Sequence, residues 1–289
     1  MQFDAQCIAC LVKRQFELSD RGPNDPNSYA FMREVLQKIL DAPEGVAATY
    51  VVPGFTESYK KYFGDADPYE KIKKASNDHV LSILPQIRPI VENADDPIEM
   101  ALKFARTGNF LDFAVLPAET IDAELTKAIR GTPDYVIDPD TYRRFRADLE
   151  TAKSMIIIGD NAGEIVFDTL LVEQLKKAYP ALALSYAVRG GIAQNDATRD
   201  DAVYVGMDRL VPILDSGSSI PGTELAYCSE SFRTAVETAD LVLSKGQANY
   251  ESLVGCSLNI YYLFLCKCGR LAQIEGVPRM TGIFSREKG

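Results

Sequence analysis

The chain has 289 residues, 46% of them hydrophobic and 25% charged, a globular balance that excludes a disordered, collagen-like or low-complexity polypeptide. A chain of this length buries about three quarters of its unfolded surface on folding, so neither a disulfide nor a metal is needed merely to hold a core. Thirty-one basic against 41 acidic residues leave a net charge of −10, a field that repels nucleic-acid backbones and makes nucleic acid an unsuitable partner.

Residues 1–150 read as a helical portion. Cys7, Cys10, Leu11 and Arg14 share one face of an N-terminal helix, and Phe31, Val35 and Ile39 repeat every four residues. Ile72, Ser76, His79, Ile83, Ile87 and Ile90 form a longer stripe, in which Pro85 and Pro89 predict a kink or a break. Asp96-Pro97-Ile98-Glu99 is a helix start, with a cap, a proline in the first turn and an acid three residues after the cap. Ile98, Ala101, Leu102 and Ala105 are the inward face of that helix, and Gly108 ends it. A further helix carries Ile121, Leu125 and Ile129 and stops at Gly131, and another starts at Asp138-Pro139 with Tyr142, Phe145 and Leu149 inward. His79 is the only histidine, which argues against Ser-His-Asp and Cys-His catalysis and excludes a multi-histidine zinc site.

The pattern changes near residue 154, and residues 151–289 read as an α/β/α domain. Met155–Ile158 is a continuous apolar run that suits a strand buried on both faces. Ile165, Phe167, Leu171 and Leu175 then predict a helix. Strands follow at Leu182–Val188, Leu210–Leu214 and Leu241–Leu243, with Asn195-Asp196 as the cap of a short helix and another helix around Phe232–Val236. Strands alternating with helices predict βαβ crossovers and a mostly parallel sheet, whose ligands bind beyond the carboxyl ends of the strands. The longest apolar stretch, Ile260–Cys266, is far short of the roughly 18–20 residues of a membrane span, so no membrane partner is expected. Lys13 and Arg14 follow the first apolar residues where a signal peptide would have them precede, and six cysteines are too sparse for a disulfide framework. Reduced thiols in the cytoplasm are the expectation.

Polar residues follow three of the strands: Asp160 and Asn161, then Arg189 with Asn195-Asp196, then Lys245-Gly246-Gln247-Ala248-Asn249. Singly each reads as a helix cap or a surface residue. Together at one sheet edge they bring two carboxylates, amides and a lysine to one crevice. Carboxylate and amide oxygens are hard ligands that suit Mg²⁺ or Mn²⁺, and three protein ligands leave about three of roughly six positions open. A phosphate dianion then fits between metal and Lys245 without an unpaired buried charge, which is the chemistry of phosphoryl transfer. Neither a Walker-type ATP cradle nor a Gly-x-Gly-x-x-Gly dinucleotide turn occurs, and Ala162 stands where a haloacid-dehalogenase-type phosphatase has its second aspartate.

Ile157–Glu164, Val188–Thr198 and Ser244–Glu251 resemble the segments of the metal-dependent damage-control phosphatase family, long catalogued as a domain of unknown function. Gly108–Phe113 and Asp215–Thr223 resemble two more of its segments, and the likeness runs from about residue 70 onward. The resemblance implies a helical N-terminal portion packed on a three-layer α/β/α domain. It further implies one divalent metal (Mn, Mg, Ni or Co) on Asp160, Asn161 and Asp196, a phosphate contact from Lys245, and a small phosphorylated metabolite as substrate. Gly246, Gln247, Asn249, Arg189 and Asn109 are the other substrate-binding candidates, and Asp160 and Lys245 the catalytic ones. Water is preferred to Asp160 as the nucleophile, because a ligating carboxylate has part of its charge committed. Two alternatives remain: an S-adenosylmethionine-dependent carboxyl methyltransferase, although no glycine-rich loop of that kind is present, and a metabolite-binding protein without catalysis. Cys7-x-x-Cys10 and Cys268 resemble the cysteine-bearing prokaryotic branch and are candidates for a second metal or a redox site, against the plainer reading as buried apolar thiols.

Overall fold

Three helices lead the chain: α1 (Ala5–Ser19), α2 (Pro26–Leu40) and α3 (Val52–Phe63). Asp4 and Asp25 cap the first two, their carboxylates accepting from the Gln6 and Ser28 backbone N–H groups. Leu11, Phe31, Val35, Ile39, Phe55 and Tyr59 close a small core of their own, in which Phe31 meets Tyr59 edge-on at 5.9 Å. The structure is a computed structural model that describes residues 2–64, 67–111, 127 and 129–287.

Helix α4 (Glu70–Glu92) runs through Pro85 and Pro89 without the expected break. Its inward face is Lys73, Ser76, Asn77, Val80, Ile87 and Val91, whereas Ile72 and Ile90 of the expected stripe are exposed. The face is rotated because three polar residues are inside, each with a partner: Lys73 pairs with Asp201, Ser76 donates to the Ile72 carbonyl, and Asn77 accepts from the Gly163 N–H. Helices α5 (Pro97–Thr107) and α6 (Pro139–Thr151) start at the predicted caps, Asp96 and Asp138. The helix expected over Ile121–Ile129 lies mostly outside the described residues, as do Asp112 and Phe113.

Among the described residues the sheet has six strands: β1 (Ser154–Ile158), β2 (Ala183–Val188), β3 (Ile213–Asp215), β4 (Leu241–Lys245), β5 (Ile260–Cys266) and β6 (Thr281–Arg286). Their order is β3-β2-β1-β4-β5-β6, parallel except for β6, which returns antiparallel along β5. The third strand begins later than its apolar run suggests, because Leu210 and Val211 complete a turn with their N–H groups on the Met207 carbonyl. Helices α7 (Glu164–Ala178), α8 (Arg199–Tyr204), α9 (Glu230–Thr238), α10 (Gln247–Leu253) and α11 (Gly269–Glu275) complete the domain.

Strand alternation sorts the layers. Met155, Ile157, Leu243, Tyr261 and Leu263 pack on α4–α7, while Ile156, Ile158, Val242, Tyr262 and Phe264 pack on α9–α11. The fold is therefore a three-layer α/β/α arrangement with a helical N-terminal stretch, and helices from α4 onward share the sheet's core. The chain winds outward from β1 through β2 to β3, then resumes on the other side of β1 with β4. The crevice at the carboxyl ends of β1 and β4 is thus the topological switch point, where such sheets bind ligands. No helix among the described residues is long and apolar enough to cross a membrane.

Candidate active site

Two loops meet at the switch point through backbone hydrogen bonds. The Ala197 N–H donates to the Asp160 carbonyl at 2.7 Å and the Ala162 N–H to the Asn195 carbonyl at 2.9 Å, so Asn161 and Asp196 face each other as an isolated antiparallel bridge. Asp196 is not a helix cap, as expected from sequence. The N-cap of helix α8 is two residues later, at Thr198, with Thr198 and Asp201 capping the helix reciprocally. This displacement is what leaves the Asp196 carboxylate for the crevice.

Asp160 is buried, and its Oδ2 accepts from the side-chain amides of Asn109 at 2.8 Å and Asn161 at 2.7 Å. Asn109 also donates to Glu164 Oε2 at 2.8 Å and accepts from the Leu265 N–H at 3.1 Å, tying the turn after α5 to β5. Gly246 closes the other wall. Its φ is +82°, and a Cβ there would stand 2.1 Å from the Asp160 carboxylate. Only a residue without a side chain lets β4 turn this close to Asp160.

Arg189 is held on three sides: Nε donates to Asp196 Oδ2 at 2.7 Å, Nη1 to Thr223 Oγ1 at 3.1 Å and Nη2 to Asn249 Oδ1 at 2.6 Å. Asn249 in turn donates to the Gly159 and Lys245 carbonyls. Lys245 is wholly buried, with Nζ 2.6 Å from Glu164 Oε1 and 2.7 Å from Asp168 Oδ1, and Tyr186 donates to Asp168 Oδ2 at 2.7 Å. Gln247 faces the loop after β5, its Oε1 accepting the Lys267 and Cys268 N–H groups.

The charges explain the titration tendencies. Burial, reinforced by the charges of Glu164 and Asp196, pushes the Asp160 carboxyl well above the carboxylate range. Burial likewise raises Asp168 to about 6, although Lys245 pulls against it. For Lys245, burial alone would lower the value, but Asp168 and Glu164 outweigh it and hold the ammonium above its ordinary range. Among the described residues, four buried carboxyl groups (Asp160, Glu164, Asp168, Asp196) face two buried cations (Lys245, Arg189), with the half-buried Lys267 nearby. Carboxyl groups thus outnumber cations there, an imbalance that a divalent cation would offset, and Asp160, Asn161 and Asp196 supply hard oxygens. Among the described residues no cluster of three or more His, Cys, Asp or Glu is poised for a metal, so an ion here would depend on the Asn161 amide beside two carboxylates.

A sequence profile described as the damage-control phosphatase ARMT1-like domain matches residues 3–282. The chain belongs to the damage-control phosphatase family. It is 32% identical over 216 residues to a damage-control phosphatase of Archaeoglobus fulgidus, covering 74% of each chain. To an uncharacterized protein of Methanocaldococcus jannaschii it is 30% identical, covering 94% of this chain and 91% of that one. The crystal structure of a DUF89 family protein from Pyrococcus horikoshii superposes with a TM-score of 0.82 at 25% identity, covering all of both chains. Membership in the damage-control phosphatase family carries a phosphatase-type activity on a small metabolite.

Sequence reasoning about this family's segments passed over Asp168, Tyr186 and Thr223 as site-supporting residues. A signal for Asp168 was present, since a lone acid within Ile165–Val172, otherwise apolar but for Thr169, must find a buried partner. Cys7 Sγ is 3.8 Å from Arg270 Nη1, Cys268 caps the helix that bears Arg270, and Cys10 is exposed. Burial pushes the Cys7 thiol up, which disfavours the thiolate a metal or redox partner needs. The double variant Cys7→Ser/Cys10→Ser is therefore expected to keep phosphatase activity per folded molecule, measured as phosphate release normalised to protein folded by circular dichroism. Complete loss in a folded variant would move the cysteines into the mechanism.

Proposed function

We propose that the chain is a divalent-metal-dependent phosphatase that hydrolyses a small phosphometabolite at the crevice between β1 and β4. The observation that carries this reading is the excess of buried carboxyl groups over buried cations, among the described residues, around Asp160, Asn161 and Asp196, in a member of the damage-control phosphatase family. The hard oxygens of these three residues suit Mn²⁺, Mg²⁺, Ni²⁺ or Co²⁺. Asp160, Asn161 and Asp196 would hold such a cation, which would supply charge neutralisation and Lewis-acid polarisation of a phosphoryl oxygen.

The chain's own residues set the geometry. Asn109 and Asn161 fix the Asp160 carboxylate through Oδ2, and Arg189 fixes Asp196. Two amide donors on Asp160 Oδ2 make this carboxylate a poor nucleophile, so the attacking group is water. Lys245 pairs with both Glu164 and Asp168 without exposing either to solvent.

The test is a metal-by-substrate screen on metal-stripped protein, using p-nitrophenyl phosphate and a panel of sugar phosphates and nucleotides. Phosphate release should require an added divalent ion, and acid-quenched protein should carry no phosphoryl group. Release that is flat across all metals would sink the reading. Asp196→Asn removes one of the two ligating carboxylate charges and is expected to weaken Mn²⁺ binding about tenfold or more by calorimetry. An unchanged affinity would remove Asp196 from the ligand set.

A further inference from the structure

Helix α4 docks through polar side chains where apolar ones would cost less. Lys73, Ser76 and Asn77 are buried, and so is Asp201, the partner of Lys73. Burying amides and ion pairs gives up solvation, and exchanging such groups for apolar residues of similar volume is often neutral or stabilising. Stability alone does not account for this choice. The reason lies in what Asn77 joins.

The candidate metal ligands sit on two loops, Asp160 and Asn161 after β1 and Asp196 after β2. Backbone bonds from Ala197 to Asp160 and from Ala162 to Asn195 join the loops at the crevice. Beyond those bonds the two chains part, one into α7 from its N-cap Gly163, the other into α8 from its N-cap Thr198. Asn77 reaches both. Its Oδ1 accepts from the Gly163 N–H at 2.6 Å, and its Nδ2 donates to Asp201 Oδ1 at 3.1 Å. The other oxygen of Asp201 pairs with Lys73 Nζ at 2.6 Å and accepts from the Thr198 N–H at 2.9 Å and the Thr198 hydroxyl at 2.8 Å. One buried amide thus links the turn just past Asn161 to the carboxylate that caps the helix just past Asp196. The fit is close, since a Cβ on Gly163 would stand 2.9 Å from Ser76 Cβ. A second tie, further along both chains, resists any opening of the loops about the first.

We propose that Asn77, backed by the Lys73–Asp201 pair, is a positioning residue that sets the spacing of Asn161 and Asp196 and so the affinity of the site for its divalent ion. The assignment rests on the metal-dependent phosphatase reading given above. Asn77 acts through Gly163 and Asp201 and needs no contact with ion or substrate.

The experiment titrates Mn²⁺ into metal-stripped protein by calorimetry, with folding checked by circular dichroism. Asn77→Leu nearly keeps the volume and removes both bonds, and should raise the Mn²⁺ Kd about ten- to a hundredfold. Asn77→Asp keeps the acceptor for Gly163 but sets a carboxylate against Asp201, and should weaken Mn²⁺ binding as well. Asn77→Asp/Asp201→Asn exchanges donor and acceptor across the same bond at unchanged net charge, and should return the Kd to within about threefold of wild type. Ile87→Ala, buried further along α4, loosens the packing of the helix away from these turns and should leave the Kd unchanged. A merely structural asparagine predicts otherwise: an Mn²⁺ Kd unmoved in Asn77→Leu, moved equally in Ile87→Ala, or not restored by the exchange overturns the assignment, while Mn²⁺ binding by wild type keeps the metal reading. Where a single variant does not fold, the exchange variant is compared with wild type directly, and a weakened Kd in it overturns the assignment too. If wild type binds no Mn²⁺, both fall.

Discussion

Replacing Lys245 with methionine is expected to lower stability by about 3–5 kcal/mol, because it leaves Glu164 and Asp168 buried with no cation. In a chain of this size that corresponds to a fall in melting temperature of roughly 5–15 °C. The loss should depend on pH in a defined direction. Burial already raises Asp168 to about 6, with Lys245 pulling it down, and removing Lys245 takes that restraint away. A carboxyl that binds its proton more tightly in the folded than in the unfolded chain makes stability rise as pH falls through the folded pKa toward the unfolded value. The deficit of Lys245→Met relative to wild type should therefore shrink between pH 7 and pH 5, as the stranded Asp168 takes up a proton. The second variant Lys245→Met/Asp168→Asn should recover part of the deficit at pH 7, since it removes one of the two stranded charges. Urea unfolding at the two pH values reads both effects. A deficit that is constant with pH, or one that grows on adding Asp168→Asn, would show that the ammonium is not balancing these carboxylates.

The same residue marks where sequence reading stops. That Lys245 belongs to the crevice was legible, because it ends an apolar run and precedes Gly246 in a βα turn. What it touches was not, because its partners lie 81 and 77 residues earlier, one helical turn apart on α7. Helix α7 is buried along nearly its whole length, so it lacks the apolar-polar alternation that assigns faces. The opposite failure occurs in α4, where a clean apolar stripe suggested a face that buried Lys73, Ser76 and Asn77 rotate. Hydrophobic periodicity reports the inward face only when the inward residues are apolar, and helices beside a polar site break that condition. Strand β6 was invisible for a different reason: its six residues, Thr281–Arg286, include only two large apolar ones, and pairing with β5 alone defines it. Helix starts at Asp96 and Asp138, by contrast, are set by local capping chemistry and stood where read.

Gly246→Ala should be the most damaging small substitution at the crevice. Two costs combine there. The backbone sits at φ +82° and ψ 155°, a region that is essentially restricted to glycine and costs a residue with a Cβ about 1–3 kcal/mol. In addition the new methyl would stand 2.1 Å from Asp160 Oδ2 and 2.5 Å from Oδ1, so the carboxylate must move. That carboxylate is held by Asn109 and Asn161, and Asn109 is itself anchored to Glu164 and the Leu265 N–H, so displacement disturbs the whole oxygen set. Gly276→Ala separates the two costs. Gly276 also has a positive φ, +66°, but nothing lies within 4 Å of a Cβ there. It should lose about 1 kcal/mol of stability from backbone strain alone, with Mn²⁺ affinity and phosphate release unchanged. Gly246→Ala should lose at least as much stability and also weaken Mn²⁺ binding by more than tenfold, with phosphate release falling in step. Calorimetric Mn²⁺ titration of the two folded variants makes the comparison. Equal Mn²⁺ affinities in the two would mean that the approach of β4 to Asp160 is a packing feature of the sheet edge with no part in holding the ion.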